Sequence, residues 1–251
     1  MSERLSDIYA ENQRYARPNL DISHRCILRC PQCIRQKTYS QDQIRRSFDL
    51  EEEEFSKILD FYELGITFCG QISDPIYHPN FLKFLKMCDG LGLCVRIATN
   101  GTGKSKEWWE EAFSYGKGEN AWYFGVDGID EKSELYRVGS NFKEVWEVMK
   151  MGRDLGNIIV WQYIIFGYNE HEVDRAVEIA KEEEFALLIV KTNRGFGISK
   201  MLRKNIKENV DKPSDQNLTK YLKGESWAHK TDRLKNWGRG ITNINSIKSI
   251  I

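Results

Sequence analysis

The sequence predicts an α/β fold in which six strand-plus-helix units surround a parallel sheet. Three observations support this prediction. Apolar runs of strand length alternate with amphipathic stretches of helix length through most of the chain. A cluster of polar residues follows each apolar run, where the loops of a parallel sheet lie. The chain has 251 residues, of which 41% are hydrophobic, and a chain of that length can bury a large core.

The six predicted strands are short apolar runs that include β-branched and aromatic residues, which are enriched in strands. They alternate with five predicted helices, whose apolar residues recur at helical spacing. The predicted strands comprise residues 20–22, 66–68, 93–98, 122–126, 158–166 and 186–190. The predicted helices comprise residues 49–62, 81–88, 106–114, 141–155 and 170–183.

The first predicted helix has the clearest start signal. Asp49 followed three residues later by Glu52 is typical of a capping box, in which side chains satisfy free backbone N–H groups. The apolar stripe that follows consists of Phe55, Ile58, Leu59 and Tyr62.

The alternating pattern ends near residue 200, which predicts a core domain over residues 1–200 and an extension over residues 201–251. The extension carries a formal charge of +6 and the first 200 residues carry −6. Trp227 and Trp237 are the main apolar residues of the extension, which is otherwise rich in Asn, Lys and Ser. A solvated basic tail is the favoured interpretation, and a substrate-docking role is the alternative.

Composition excludes several classes of protein. The formal net charge is zero, so no global basic field indicates a nucleic-acid partner. The longest apolar stretch, residues 158–167, is shorter than the roughly 18 residues that suggest a membrane span, and the N-terminus shows no signal peptide. We therefore expect a cytoplasmic protein without a membrane partner. Six cysteines are too few for a disulfide scaffold, and clustered cysteines in a reducing compartment favour metals or catalysis.

Polar clusters follow all six predicted strands. The carboxyl edge of a parallel sheet is where loops from several strands meet, so we expect these clusters to lie close together. In strand order they are Cys26 with Cys30 and Cys33, then residues 69–75, 99–101, 127–128, 167–169 and 192–195.

The three cysteines after the first strand have the spacing C-x3-C-x2-C, which allows three thiolates to surround one metal centre. Two kinds of centre remain open. A structural zinc ion needs four protein ligands, and His24 is the natural fourth. A four-iron, four-sulfur cluster takes one thiolate per iron, so three cysteines leave one iron open for a ligand. Cys69, Cys88 and Cys94 are interpreted as packed residues.

The C-x3-C-x2-C loop after the first of six βα units resembles the radical S-adenosylmethionine (SAM) superfamily, over about residues 20–193. The resemblance implies a partial (βα)6 TIM-like barrel of parallel strands, in which Cys26, Cys30 and Cys33 bind a four-iron, four-sulfur (4Fe-4S) cluster. It implies that the open iron binds SAM and that a donor such as flavodoxin or ferredoxin supplies the electron. Cleavage of SAM then yields a 5′-deoxyadenosyl radical, which takes a hydrogen atom from the substrate.

The loop after the second strand is similar to the superfamily's Gly-Gly-Glu-Pro motif, which receives the ammonium group of SAM. Asp74 takes the acidic position, and the Pro-x-x-His-Pro ending matches the superfamily's continuation. Ile72 and Ser73 replace the glycine pair, and Gly70 lies two residues early. The resemblance implies a SAM contact by Gly70, Ser73 and Asp74 through a different path of the loop, and a plain turn is the alternative.

The third and fourth strand ends supply further implied contacts. Thr99 and Asn100 resemble a superfamily segment near the ribose or methionine part of SAM. Asp127 and Arg137 match the superfamily's Asp-Gly segment followed by Tyr-Arg-x-Gly. An arginine there can bind the SAM carboxylate through two hydrogen bonds, and a surface arginine is the alternative.

The last two strand ends carry the remaining polar candidates. Gln162 in the fifth strand and Asn169 after it are implied contacts of the ribose or adenine. Residues 191–194 either contact adenine or substrate, or form a solvated turn.

The segment with Asp-Gly and Tyr-Arg-x-Gly resembles the branch of the superfamily that modifies peptides or proteins. A glycyl-radical activase or a small-metabolite enzyme of the deazapurine type is the alternative within the superfamily. A non-catalytic zinc-binding module that uses its basic tail for a partner is the alternative from another class. No cysteine follows Cys94, so this chain does not itself supply ligands for C-terminal auxiliary clusters.

Overall fold

The computed structural model describes residues 17–31, 33, 35, 49–70, 72–116 and 118–190, and the backbone of residues 226–229. Within these residues the chain forms a seven-stranded sheet whose strands lie side by side in sequence order. The strands are β1 (Asn19–Leu20), β2 (Ile66–Cys69), β3 (Val95–Thr99), β4 (Ala121–Gly125), β5 (Ile158–Ile164), β6 (Ala186–Val190) and β7 (Ser226–His229).

The first six strands are parallel, and each pairs with its sequence neighbours. Such pairing needs a crossover between consecutive strands. The crossover helices are α1 (Glu52–Phe61), α2 (Phe81–Gly90), α3 (Lys106–Ser114), α4 (Phe142–Asp154) and α5 (Val173–Glu182). No helix among the described residues is long and apolar enough to cross a membrane. The predicted α/β fold, a partial (βα)6 TIM-like barrel of parallel strands, is confirmed.

Both faces of the sheet are buried, as expected for parallel strands. On the outer face, strand residues such as Phe68 and Trp122 pack with apolar residues of the helices in the main core. On the inner face, a second cluster is built from strand residues, among them Tyr123, Val160 and Leu188. Alternate residues of each strand face the barrel interior. Because the strands are parallel, their carboxyl ends lie together at one end of the barrel and surround its mouth.

The capping box of α1 lies two residues later than predicted. It is formed by Glu51 and Glu54 rather than by Asp49 and Glu52. Asp49 has a different partner, because its carboxylate accepts hydrogen bonds from the guanidinium of Arg25 at 2.7–3.0 Å. Asp49 therefore does not cap the helix but joins the segment before α1 to the loop after β1.

The fifth strand ends earlier than predicted, at Ile164 rather than at Phe166. The side chain of Asn169 explains the difference. Its amide donates to the carbonyl of Ile164 at 2.9 Å, and its oxygen accepts from the N–H of Phe166 at 2.7 Å. The chain then enters a 3-10 turn, so α5 begins at Val173 rather than at residue 170.

The predicted C-terminal extension, residues 201–251, lies outside the described residues except for β7. This strand pairs antiparallel with β6, with His229 opposite Leu187 and Ser226 opposite Val190. The sequence pattern did not predict β7, because the residues around it are mostly polar. The boundary between core domain and extension stays a prediction.

His78 ties the loop after β2 to the start of α1. Its ring is buried and lies 4.8 Å from the ring of Phe84, measured between centroids. The N–H of Asn80 donates to Nδ1 at 3.0 Å, so Nε2 carries the proton and donates to the carbonyl of Leu50 at 3.1 Å. The neutral ring satisfies both neighbours, and burial lowers the pKa of His78.

Protonation of His78 is expected to destabilise the fold, because a charged ring can no longer accept at Nδ1. Since its pKa is lower in the folded chain than in the unfolded one, the stabilising contribution is lost as the pH falls. As the pH falls below about 6.5, we expect the Tm to decrease more steeply in the wild type than in His78→Gln. At neutral pH the free energy of unfolding of His78→Gln should be lower by about 1 kcal/mol for each of the two His78 hydrogen bonds that glutamine does not form. Thermal unfolding followed by circular dichroism tests this, and equal slopes would contradict the role of His78.

Candidate active site

Loops from the carboxyl ends of β1, β2 and β4 meet at one edge of the sheet. Two backbone hydrogen bonds fasten the loop after β1 to its neighbours. The N–H of Asp74, after β2, donates to the carbonyl of Arg25 at 2.8 Å. The N–H of Arg29 donates at 2.9 Å to the carbonyl of Val138, after β4. The polar clusters of these three strand ends are therefore held side by side.

Cys26, Cys30 and Cys33 lie on the loop after β1 as free, partly buried thiols. The backbone turns between the last two, where the N–H of Cys33 donates to the carbonyl of Cys30 at 3.1 Å. Leu28 is buried and anchors the loop, whereas neighbouring Ile27 is 51% exposed. The loop thus presents three thiols from a backbone that its neighbours and its own core residue hold in place.

Burial and nearby charges set the acidity of two of these thiols. Burial raises the pKa of Cys26 to about 12 and that of Cys30 to about 11. The guanidinium of Arg137 opposes the shift at Cys30. At Cys26 the backbone N–H of Leu28 and the charge of Arg35 oppose it. A metal centre would keep both sulfurs ionised, and the two arginines suit a centre with net negative charge.

The three cysteines supply the donor set of a 4Fe-4S cluster, in which each thiolate binds a different iron atom. A zinc ion would need His24 as a fourth ligand around the same ion. Within the part of the chain that the structure describes, no group of three or more His, Cys, Asp or Glu side chains converges on one point. Both the cluster and the zinc ion stay predictions.

Asp74 is the centre of a buried hydrogen-bond network between the ends of β2 and β3. Its carboxylate accepts from the hydroxyl of Thr99 at 2.9 Å, from the backbone N–H of Asn100 at 2.6 Å and from the side-chain amide of Asn100. The N–H of Ile76 adds a weaker bond at 3.3 Å. Burial raises the pKa of Asp74 to about 6 despite these donors. The acidic side chain is thus fixed against the Thr-Asn pair.

The loop that carries Asp74 folds back tightly. A Cβ atom at Gly70 would lie 1.7 Å from the carbonyl oxygen of Ser73, so only glycine fits there. The hydroxyl of Ser73 donates to the carboxylate of Asp21, which also accepts from the N–H of Ile72 at 3.1 Å. Asp21 was not predicted from the sequence, because residues 20–22 form the first predicted strand, whereas β1 ends at Leu20 and Asp21 directly follows it. The SAM contact of Gly70 and Ser73 stays a prediction.

Asp127 and Arg137 form a buried ion pair at the carboxyl end of β4. Arg137 Nε donates to Asp127 Oδ2 at 2.7 Å, and the N–H of Ile164 donates to Oδ1 at 2.8 Å. The guanidinium lies over Gly125, where a Cβ atom would be 2.6 Å from one of its nitrogens. Burial disfavours charge on Arg137, but attraction by Asp127 and Cys30 outweighs it and raises the pKa of Arg137. The surface-arginine alternative is wrong, because only 20% of the side chain is exposed.

Gln162 and Asn169 differ in their access to the barrel interior. Gln162 is partly buried, belongs to the inner face of β5 and pairs in register with Gly125. Asn169 is fully buried, and its amide donates to the carbonyl of Asp127 at 2.8 Å as well as to the end of β5. A contact with the ribose or adenine stays a prediction for both residues. It is favoured for Gln162, which faces the barrel interior, but not for Asn169, whose amide is buried and bonded to the backbone. Residues 191–194 lie outside the described residues.

The predicted site residues form two groups, one around Cys26 and one around Cys30. The amide nitrogen of Asn100 lies 3.8 Å from Cys26 Sγ, which links that sulfur to the Asp74 network. The charge of Arg137 acts on Cys30 and on Asp74. The two groups therefore border one site at the mouth of the barrel.

The other three cysteines do not belong to this loop. Cys69, at the end of β2, and Cys88, in α2, are buried, as predicted for packed residues. Cys94 precedes β3, is only partly buried and donates from its thiol to the carboxylate of Glu119 at 3.2 Å. Cys94 packs against the inner-face cluster, as predicted for a packed residue, but it is less buried than Cys69 and Cys88.

Comparison with known proteins adds independent support to the family resemblance. The family model described as Radical SAM superfamily matches residues 20–180. One relative is the tungsten-containing aldehyde ferredoxin oxidoreductase cofactor-modifying protein of Pyrococcus furiosus, 30% identical over 124 residues, which are 48% of this chain and 33% of that protein. Another is 7,8-dihydro-6-hydroxymethylpterin dimethyltransferase of Methanocaldococcus jannaschii, 26% identical over 181 residues, 65% of this chain and 33% of that protein.

Solved structures with a similar fold include SuiB of Streptococcus suis. SuiB bound to S-adenosylmethionine aligns with a TM-score of 0.63 at 15% identity, over 86% of this chain and 49% of SuiB. SuiB bound to its precursor peptide SuiA gives a TM-score of 0.62 at 14% identity, over 88% of this chain and 49% of SuiB. At such low identity the likeness shows the fold alone.

The extent of these matches differs. The chain spans about a third of the length of the two sequence relatives and about half of the length of SuiB. The family match, by contrast, covers β1 to α5 and well over half of the chain. The chain belongs to the radical SAM superfamily.

Proposed function

We propose that the chain is a radical SAM enzyme in which Cys26, Cys30 and Cys33 hold a 4Fe-4S cluster beside a SAM site. The observation that carries the proposal is the position of the cysteine loop, which lies between the network of Asp74 and the ion pair of Arg137. When bound, the cluster supplies the electron for reductive cleavage of SAM, whose 5′-deoxyadenosyl radical abstracts a hydrogen atom from the substrate.

Asp74 is proposed to receive the ammonium group of SAM. Its carboxylate is buried and its pKa is raised, so a cation beside it would favour the ionised form and gain a charge-assisted hydrogen bond. Thr99 and Asn100 hold this carboxylate from the end of β3. Gly70 and Ser73 shape the loop that brings it to the site.

Arg137 is proposed to bind the carboxylate of SAM. Asp127 accepts from its Nε, and within the described residues neither terminal nitrogen donates to another acceptor, which suits a paired contact with a carboxylate. Gly125 provides the space in which this guanidinium lies. Gln162, which pairs with Gly125 on the inner face, is proposed to contact the ribose or adenine.

A peptide or protein is the proposed substrate. The support is that SuiB, which has a similar fold, has been solved with a precursor peptide, and that the Asp-Gly and Tyr-Arg-x-Gly segments resemble the peptide-modifying branch. A flavodoxin or ferredoxin is the proposed electron donor. A cytoplasmic location is proposed, because clustered cysteines stay reduced and able to bind metal in that compartment.

A small heteroaromatic substrate is the second candidate. Two sequence relatives are named for the modification of a cofactor and for a hydroxymethylpterin. Deuterated substrates discriminate between the candidates, because deuterium enters 5′-deoxyadenosine only from the molecule whose hydrogen atom is abstracted. A glycyl-radical activase would instead leave a radical on the backbone of a partner protein, which electron paramagnetic resonance detects.

Anaerobic reconstitution with iron and sulfide is expected to give a brown protein that converts SAM to 5′-deoxyadenosine when dithionite supplies electrons. Visible absorption reports the cluster, and liquid chromatography with mass spectrometry reports the nucleoside. The same protein without reductant, and the metal-free protein with reductant, are the controls and should form no product. A colourless zinc-loaded protein would contradict the proposal, and so would a brown protein that leaves SAM intact.

A further inference from the structure

The hydrogen bonds of Asn100 fix which end of its side-chain amide faces which neighbour. Its oxygen accepts from the backbone N–H of Thr102 at 3.0 Å. A backbone N–H can only donate, so the opposite end of the amide must be the NH2 group. The hydroxyl of Tyr77 donates to the carbonyl of Thr102 at 2.6 Å, and its oxygen lies 3.1 Å from the side-chain oxygen of Asn100. The NH2 group donates to the carboxylate of Asp74 and reaches Cys26 Sγ at 3.8 Å. The orientation follows from the contacts with Thr102 and Asp74.

Asp74 does not need the side chain of Asn100 to satisfy its carboxylate. Three other donors already reach it, namely the hydroxyl of Thr99 and the backbone N–H groups of Ile76 and Asn100. The side-chain amide is therefore an additional donor, and its distinguishing contact is the one to sulfur. Asn100 itself is buried, with 6% of its surface exposed. Water is thus largely kept from this contact, which strengthens the interaction.

We propose that Asn100 is a positioning residue that raises the reduction potential of the cluster by donating a hydrogen bond to the sulfur of Cys26. Reduction adds negative charge, part of which lies on the cysteine sulfurs, and an N–H donor stabilises that charge. Hydrogen bonds to the sulfurs are one of the factors that set the potential of iron–sulfur clusters. The inference rests on the proposed function, because it requires a cluster on Cys26.

The test is a redox titration of the reconstituted cluster, monitored by electron paramagnetic resonance. Asn100→Ala removes the donor and keeps the backbone N–H that binds Asp74. Asn100→Leu removes the donor while filling the space, so that water does not replace the amide. The reduction potential of the cluster should be more negative in both Asn100 variants than in the wild type. Thr102→Val is the matched control, because its buried hydroxyl makes no hydrogen bond within the described residues.

The outcomes separate this inference from the proposed function. Failure of the wild type to assemble a cluster contradicts the proposed function itself. A wild-type cluster together with unchanged or more positive potentials in both Asn100 variants overturns the inference alone. Loss of the cluster from both variants, with retention in Thr102→Val, also overturns it, because Asn100 would then be needed for assembly. A negative shift in either Asn100 variant, absent from Thr102→Val, supports it.

Discussion

Replacing Cys30 with alanine is expected to remove both the brown colour and the SAM cleavage of the reconstituted protein. Three protein thiolates hold the cluster in the proposed site, and loss of one leaves a second iron without a protein ligand. Cys30 also packs against the buried rings of Tyr136 and Phe166, which hold its side chain in place. The loss of activity should exceed the roughly 10–100-fold penalty typical of changes around a metal site. Iron content and 5′-deoxyadenosine formation measure both effects.

Cys94→Ala is the matched control for this experiment. Its thiol is partly exposed and bonds to Glu119, apart from the cysteine loop. The variant should keep the colour and the activity of the wild type. A Cys30→Ala protein that retains a cluster and cleaves SAM would remove Cys30 from the ligand set. A Cys94→Ala protein that loses both would show that the sequence pattern selected the wrong cysteines.

Removal of the carboxylate in Asp127→Ala is expected to lower the free energy of unfolding by about 3–5 kcal/mol, the usual cost of breaking a buried ion pair. The variant leaves the guanidinium of Arg137 in a buried position without its carboxylate. It also leaves the N–H of Ile164 without an acceptor at the end of β5. Urea unfolding of the metal-free protein measures the change, so the result does not depend on cluster assembly.

Two further variants identify the cause of that loss. Asp127→Asn keeps the shape and an acceptor for Ile164 but removes the charge, so its loss should be smaller than that of Asp127→Ala. Arg175→Met breaks an exposed contact with Glu182 on α5 and should change the unfolding midpoint very little. An Asp127→Ala midpoint as high as that of Arg175→Met would show that the pair does not stabilise the fold.

The fold was predictable because its strands are buried on both faces. Such strands read as apolar runs, and all six predicted runs overlap the parallel strands β1 to β6. Element ends were less predictable, because long-range contacts set them. Asp49 has the sequence position of a helix cap but bonds to Arg25, which is 24 residues away. Strand β7 was missed for a related reason, since its pairing with β6 is invisible in the local pattern.

A motif fixes the residue type at Asp74 and Arg137, and the structure places both residues beside the cysteine loop, while their contacts with SAM stay predictions. What the sequence did not show is how these side chains are held. Asp21 supports the loop through Ser73, and the hydroxyl of Tyr77, which donates to the carbonyl of Thr102, joins the loop after β2 to the loop after β3. Neither role has a spacing rule, because each depends on how two loops approach each other in the folded chain.

The two edges of the sheet limit how a peptide substrate could be held. The edge strand on one side is β7, which has four residues, and the edge strand on the other side is β1, which has only two. Such short edge strands discourage strand addition by another chain. Among the described strands, a peptide would therefore find little backbone to pair with. Its recognition would have to come from side chains at the barrel mouth, which favours selection by residue identity over recognition of an extended backbone.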